Sequence, residues 1–190
     1  MKRIDRRSYL KAAGAATVGT VGLAGCADES TGSLATQVTD QPGDIEDFDS
    51  CVVTIVGIWL GPEGAESGDE GDEEPAGREY HGFEEPQTAD LVELQGDNTQ
   101  LVDERDLQPA AYEFLQLDTD GIDATLSDGS DATVETPGEA PLTFSEPFEI
   151  RENTRTRFTA DFTPVRRGQT EEYVLQPVAE GTTVSYEDSE

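Results

Sequence analysis

The chain has 190 residues, of which 12 are basic and 42 acidic, and its formal net charge is −30 at pH 7. A surface of that sign offers no cationic face to phosphates, so nucleic acid is excluded as an expected partner. Two cysteines are too few for a cysteine-rich metal site.

The first 25 residues have the pattern of an export signal. A basic patch precedes an apolar segment at 12–24, which is shorter than the roughly 20 residues of a membrane span. The stretch Arg6-Arg7-Ser8-Tyr9-Leu10-Lys11 resembles the twin-arginine motif, a route for proteins that fold before export. Leu23-Ala24-Gly25-Cys26 resembles a lipobox, in which Cys26 becomes the lipidated first residue. We therefore expect a lipid-anchored protein at the outer face of the cytoplasmic membrane. The alternative is an ordinary signal peptide that leaves a free thiol.

The chain that remains after removal of this signal is more acidic still. It has 7 basic and 41 acidic residues, a net charge of −34, and all seven basic residues are arginine. Self-repulsion of this size opposes a compact fold. Molar salt screens that repulsion, because the Debye length falls to about 3 Å. The composition therefore indicates a protein of a halophile.

Alternating and β-branched segments predict one domain over residues 33–190, behind a short tether at 26–32. The strongest predicted strand is 48–60, in which Cys51 is expected to be a buried apolar side chain. A Cys26–Cys51 disulfide is the alternative. An acidic, Gly-rich stretch at 62–77 predicts a solvated loop. Further strands are predicted at 33–39, 78–83, 89–94, 112–117, 122–126, 132–134, 142–144, 148–151, 157–162, 173–176 and 182–186.

Turn residues divide these strands at 40–44, 95–98, 118–121 and 128–129. Segment 101–107 is ambiguous between a strand and one helical turn. The segment 107–112 resembles the corner that introduces a strand in many β-sandwiches, where the tyrosine hydroxyl, here of Tyr112, bonds to nearby backbone. We expect an antiparallel two-sheet β-sandwich, immunoglobulin-like or transthyretin-like. A closed β-barrel is the second interpretation.

Several segments in order resemble the family known as domain of unknown function 4382. They are 38–42, 48–60, 90–94, 107–112, 128–129, 158–162 and 173–178. Members typically have Ala where this chain has Gln41, and Gly where it has Ala110. The resemblance implies a β-sandwich at the cell surface, in exported and often lipid-anchored proteins. It carries no catalytic residue to this chain.

Carboxylates on turns suggest a candidate Ca²⁺ site, because Ca²⁺ prefers oxygen ligands. An EF-hand loop is excluded, since residue 123 is Asp and residue 129 is Gly. The alternative is that these carboxylates only solvate the protein in high salt, which would require the same residue types. No other cofactor is expected. The candidate ligands are Asp118, Asp120, Asp123, Asp128 and Asp131.

Each of the other candidate functional residues has a structural interpretation as well as a functional one. His81, the only histidine, is expected at the surface or in packing, with a nucleophile-activating base as the alternative. Trp59 is expected to pack in the core or at an edge, with ligand recognition as the alternative. A second acidic cluster comprises Asp40, Asp44, Glu46 and Asp47.

The expected function is a non-enzymatic binding or interaction module in the envelope, with an unidentified surface partner and the membrane as its anchor. Loops at the ends of the domain are the expected contact surface. One alternative is an envelope hydrolase that uses carboxylates and depends on calcium. Another is a structural envelope component.

Overall fold

The structure is a computed structural model that describes residues 30–40, 43–68, 76–168 and 172–188. In these ranges the chain forms eleven β-strands and three short 3₁₀ helices, which confirms the all-β class. The predicted export and lipidation residues Arg6, Arg7 and Cys26 lie outside the described residues, as does 69–75 of the acidic loop.

The strands account for most of the described chain. They are β1 (Gly32–Thr39), β2 (Phe48–Pro62), β3 (Glu79–Asp90), β4 (Gln100–Leu107), β5 (Ala110–Leu126), β6 (Asp131–Glu135), β7 (Leu142–Phe144), β8 (Phe148–Ile150), β9 (Thr154–Arg166), β10 (Glu172–Pro177) and β11 (Thr183–Asp188). The 3₁₀ helices are Asp44–Asp47, Leu91–Leu94 and Pro137–Glu139.

All eleven strands belong to one sheet. Its order is β3-β2-β5-β6-β10-β9-β1-β4, while β7 and β8 pair with β5 and β11 pairs with β9. Most pairs are antiparallel; β1 with β9 and β6 with β10 are parallel. The sheet curls until it is nearly closed, with β3 and β4 at its two ends. The architecture corresponds to the barrel interpretation, because one curled sheet, and not two facing sheets, encloses the core.

The core follows the alternation of the strands, because neighbouring side chains point to opposite faces. In β2, Cys51, Val53 and Ile55 are fully buried, while the residues between them are half-buried. Phe158 of β9 packs edge-on against Phe148 of β8, with ring centres 5.2 Å apart. Aromatic and aliphatic side chains thus fill the barrel and fix which face of each strand points outward.

The strand predicted at 89–94 is wrong from Leu91 onward. Asp90 ends β3, and its Oδ1 accepts a hydrogen bond from the Val92 amide at 3.1 Å. A carboxylate that caps the first turn in this way starts a 3₁₀ helix at Leu91. The apolar spacing of this segment fits either element, and the cap decides between them.

The turn predicted at 118–121 is wrong as well. β5 runs without interruption through this stretch. Asp120 and Gly121 form a bulge where the register with β2 shifts between Val53 and Ile55. Gly121 has φ +119°, a conformation that favours glycine. The Asp-Gly signal therefore marks a bulge inside a strand and not its end.

The segment left ambiguous at 101–107 is strand β4 and contains no helical turn. The corner at 107–112 is also corrected. The Tyr112 hydroxyl donates towards Oε2 of Glu79 on β3 at 3.4 Å, over the intervening strand β2, and not to nearby backbone. Ala110 already belongs to β5, so the chain enters the strand earlier than the resemblance implies.

The hairpin predicted at 128–129 is confirmed. Ala124 and Thr125 of β5 pair with β6, and Gly129 takes φ +85° in the turn between the two strands. Oδ1 of Asp128 accepts hydrogen bonds from the amide and the hydroxyl of Ser130, at 2.9 and 2.6 Å. These bonds lower the pKa of Asp128.

Candidate functional site

The barrel is open between its end strands, β3 and β4, which share no ladder in the part of the chain that the structure describes. A surface cavity of about 650 Å³ lies along this opening. We call it the β3–β4 groove. It is lined by Phe83, Glu84, Glu85 and Gln87 of β3 and by Val102, Asp103, Glu104 and Arg105 of β4, with Gly82 at one side.

The wall that β4 contributes carries an ion pair. Arg105 donates from Nε and Nη2 to the two carboxylate oxygens of Asp103, at 2.5 and 2.8 Å. Only 20% of the Arg105 side chain and 14% of the Asp103 side chain are exposed, so water screens this pair less than it screens a surface pair. The guanidinium carbon of Arg105 lies 5.8 Å from the centre of the Phe83 ring on β3. The groove therefore has a charged wall and an aromatic wall.

His81 faces the same opening from β3. Its Nε2 lies 3.9 Å from Oε2 of Glu79, which is beyond hydrogen-bond distance. Burial, followed by the positive charge of Arg105, lowers the pKa of His81, while Glu79 and Asp103 oppose the shift. This environment therefore favours the neutral form of the imidazole. Among the described residues, no serine or cysteine side chain hydrogen bonds to it, so the geometry provides no activated nucleophile there.

The rim of the groove is acidic. Glu84 and Glu85 are exposed, in a segment of β3 that has no register partner on β2. Glu104, on the opposite side, pairs with Arg155 at 2.8 Å. The rim therefore presents negative charge to solvent beside unpaired strand edges.

Trp59 lies on the outer face of the barrel. The guanidinium carbon of Arg78 is 3.9 Å from the centre of its ring, and the Tyr80 ring is 4.5 Å away. Arg78 also donates to Oε1 of the buried Gln116 at 2.7 Å. Trp59 is therefore packed between neighbours on an outer surface, and Tyr80, 46% exposed, is the aromatic that meets solvent.

The carboxylate of Asp40 is buried at one end of the barrel. Asp40 is fully buried, and neither of its carboxylate oxygens accepts a hydrogen bond of normal geometry, although the Thr163 hydroxyl lies close enough to favour the charged form. Burial, reinforced by the charge of Asp161 and opposed by Thr163, raises the pKa of Asp40 to about 7. This carboxyl group is enclosed by protein, so its protonation affects the stability of the fold.

The rest of the second acidic cluster lies elsewhere. Asp44 accepts a hydrogen bond from the Arg166 amide, and Asp47 pairs with the Arg166 side chain at 2.9 Å. Asp47 also accepts from the hydroxyl of the buried Tyr173 at 3.0 Å. These carboxylates hold the 3₁₀ helix at Asp44–Asp47 against β9, while Asp40 remains separate.

The five candidate calcium ligands do not form one site. Asp118, Asp120 and Asp123 lie along β5, and at about 3.4 Å per residue the first and last are up to about 17 Å apart. Asp128 is engaged by Ser130 in the hairpin turn. In the described ranges, no group of three or more His, Cys, Asp or Glu side chains is arranged to hold a metal. Calcium binding stays a prediction, to be checked by melting the protein with and without CaCl₂.

The sequence profile of the family described as domain of unknown function (DUF4382) matches residues 31–177. The chain belongs to this family. A search of curated proteins finds no match for it. None of the helices in the described part of this DUF4382 domain has the length and apolar character of a membrane span.

Four of the segments that resemble DUF4382 meet at the end of the barrel where Asp40 is buried. The Asp40 amide donates to the Leu94 carbonyl at 3.2 Å, and Oδ1 of Asp90 accepts from the Cys51 amide at 3.0 Å. Asp161, from the segment 158–162, lies near enough to shift the pKa of Asp40. These residues therefore tie the 3₁₀ helix at Leu91–Leu94 and the end of β3 to strands β1 and β2 at this end of the barrel.

Sequence reasoning did not find the groove residues Glu84, Glu85, Asp103 and Arg105. The alternation of Asp103 and Arg105 at positions i and i+2 would place both on one face of a strand. The spacing of residues 101–107 also fits one helical turn, and this ambiguity hides the signal. Glu84 and Glu85 belong to an extension of β3 beyond the predicted end at residue 83.

Proposed function

We propose that this DUF4382 domain is a non-enzymatic binding module, held at the outer face of the cytoplasmic membrane of a halophile by lipid on Cys26. Its contact surface is the β3–β4 groove. The observation that carries the proposal is the opening of the barrel itself, where two strand edges and a cavity of about 650 Å³ are left accessible.

The size and setting of the groove support binding. Cavities that take small ligands or peptide segments are commonly about 300–1,000 Å³. The β4 wall is held by the ladder of β4 with β1, and the β3 wall pairs with β2 at Gly82 and Gln87, on either side of the unpaired residues 83–86. The paired parts of the walls offer a partner a preformed shape, which limits the entropy lost on binding.

The proposed anchor supports a location close to the membrane. Cys26 precedes the start of β1 at Gly32 by six residues. Fully extended, a segment of that length spans about 20 Å. Lipid on Cys26 would therefore keep the barrel near the bilayer and present it to partners in the envelope. The acidic surface suits this setting if the surrounding salt is molar, because its self-repulsion is then screened.

The anchor is tested by comparing the two cysteines. We expect the full chain to be found in the membrane fraction of its cells, and Cys26→Ser to be released in soluble form. Cys51→Ser is the matched control and should stay with the membrane. Arg6→Lys with Arg7→Lys should leave the protein inside the cell. Membrane association of Cys26→Ser equal to that of the parent chain would contradict lipid anchoring.

The contact surface is tested by photo-crosslinking on intact cells. A photoreactive residue at position 85, in the groove, should give a defined adduct. The same residue at the exposed position 152, between β8 and β9, should give none. Adducts of the same size and yield from both positions would overturn the groove as the binding surface.

A further inference from the structure

We infer that the β3–β4 groove takes an extended, cationic peptide segment, which adds to the sheet as a strand along the free edge of β4, opposite β3. The inference rests on the proposed function, since it specifies the partner of the same surface. It follows from three features of the opening: unpaired strand edges, uncompensated acidic residues and an aromatic wall.

The first feature is the free backbone of the two edges. Main-chain amides and carbonyls need partners, and at a strand edge those partners are water or another strand. In the described part of the chain, β3 pairs with β2 alone and β4 with β1 alone. The residues of β3 at 83–86 have no register partner on β2 either. A peptide in extended conformation could bond to such edges, as in other cases of strand addition.

The second feature is charge. Within the groove, Asp103 is neutralised by Arg105 and Glu104 by Arg155. Glu84 and Glu85 have no such partner among the described residues, and both are exposed. Acidic side chains on an edge strand repel another acidic strand and attract a basic one. Because the chain carries a net charge of −30, a second copy of it is a poor occupant and a lysine- or arginine-bearing segment is a good one.

The third feature is the Phe83 ring. It lies in the wall opposite β4, and the Arg105 guanidinium already approaches its centre to 5.8 Å. The face of an aromatic ring attracts cations. A basic side chain of an added strand would thus find Phe83 on one side and Glu84 or Glu85 on the other. This combination favours arginine, whose planar group both stacks and pairs with carboxylates.

The test uses a fluorescent nine-residue peptide of alternating arginine and threonine, titrated against the full chain in 1 M KCl. At that salt the Debye length is about 3 Å, so long-range attraction to an acidic protein is screened. The control peptide has the same sequence with alternate backbone nitrogens methylated, which keeps the charge but removes donors for a sheet. We expect the parent peptide to bind and the methylated peptide to bind at least roughly tenfold more weakly, a difference of about 1.4 kcal/mol.

The matched protein variants change the same number of charges. Glu84→Gln with Glu85→Gln should weaken binding of the parent peptide by roughly fivefold, while Glu146→Gln with Glu152→Gln, two exposed residues that do not line the groove, should leave it unchanged. Amide exchange should slow at 82–87 and 101–105 when the peptide is bound. Equal effects of the two double variants would overturn the groove as the binding surface, and with it the proposed function.

Two other results would overturn the inference alone. Equal binding of the parent and methylated peptides, still weakened by the Glu84 and Glu85 changes, would show a peptide that lies in the groove without adding to the sheet. A dimer of the chain, seen by sedimentation in 1 M KCl and lost in Glu84→Pro, would make a second copy the occupant. In both cases the groove would remain the contact surface.

Discussion

Gln100 on β4 donates a hydrogen bond from Nε2 to the main-chain oxygen of Thr88 on β3, at 2.7 Å. The two strands are the ends of the sheet and share no main-chain ladder in the described ranges. The Gln100 side chain thus connects two strands that have no main-chain pairing with each other. This contact lies beside the groove proposed as the binding surface.

Replacing Gln100 by Ala should therefore loosen the opening without unfolding the barrel. A side-chain hydrogen bond of this kind contributes about 1 kcal/mol. We expect a loss of that size in the free energy of unfolding, with faster amide exchange in the last residues of β3 and the first of β4. Gln87→Ala is the control, because Gln87 bonds to the Glu85 carbonyl on its own strand. Exchange that rises equally in all strands would contradict the bridging role of Gln100.

The strands of this domain could be predicted from sequence because alternating or β-branched apolar residues mark them, as in β2. Turn residues in the same way mark the hairpin at Asp128 and Gly129. The positions at which strands end were harder to predict. Asp118 to Gly121 has the composition of a turn, yet its backbone continues as β5, because pairing with β2 holds on both sides of the bulge. At this point long-range strand pairing determines the backbone conformation, and the local turn propensity of the residues does not.

The candidate sites were harder to predict because they join distant parts of the chain. Asp40 and Asp161 are 121 positions apart and come together only because β1 and β9 are parallel neighbours. The groove exists because the sheet leaves β3 and β4 unpaired, which no local pattern reveals. Conversely, the Asp118–Asp131 carboxylates are close in sequence but are spread along an extended strand and a turn.

Two buried tyrosines allow a matched comparison of hydroxyl contributions. The Tyr173 hydroxyl accepts from Arg166 Nη2 at 2.6 Å and donates to Asp47 at 3.0 Å. The Tyr112 hydroxyl has a longer contact, 3.4 Å, with the exposed Glu79. Hydrogen bonds to charged groups contribute about 1.5–3 kcal/mol when the geometry is good. We expect Tyr173→Phe to lower the free energy of unfolding by about 2 kcal/mol, and Tyr112→Phe by less than about 0.5 kcal/mol.

Denaturant titration of the two variants checks this difference, since each keeps its ring and loses one oxygen. Raising the salt concentration should reduce the Tyr173→Phe effect only in part, because that side chain is fully buried. Equal losses for Tyr173→Phe and Tyr112→Phe would contradict the assignment of the Asp47–Tyr173–Arg166 contacts as stabilising.

Cys51 should be unreactive in the folded protein. Burial, followed by the negative charges of Asp90 and Asp40, raises the pKa of its thiol from 9.0 to about 12. Since the thiolate is the reacting form, its population at pH 8 falls about a thousandfold. In Cys26→Ser, an aromatic disulfide reagent should modify Cys51 only when denaturant is added. Native and denatured protein that react at the same rate would contradict the buried position of Cys51.

Asp40 should make the domain less stable as the pH rises. Its pKa in the folded protein, about 7, lies above the ordinary value of 3.8. Between these two values the folded protein holds a proton that the unfolded chain has released. The free energy of unfolding therefore falls from about pH 4 to about pH 7 and levels off above that. At 1.36 kcal/mol per pH unit, the loss due to Asp40 amounts to as much as about 4 kcal/mol.

The measurement is a denaturant titration of the full chain at a series of pH values from 4 to 8 in molar KCl, compared with Asp40→Asn. The amide cannot ionise, so the variant should lose the part of the slope that Asp40 causes, whatever its stability at any one pH. Asp97→Asn is the control, because Asp97 is exposed in the turn after Leu91–Leu94 and should keep the parent slope. Superimposable slopes for Asp40→Asn and the parent chain would mean that the buried carboxyl group is not the one that titrates. The orphaned position of Asp40 beside Asp161 would then have no energetic consequence in this pH range.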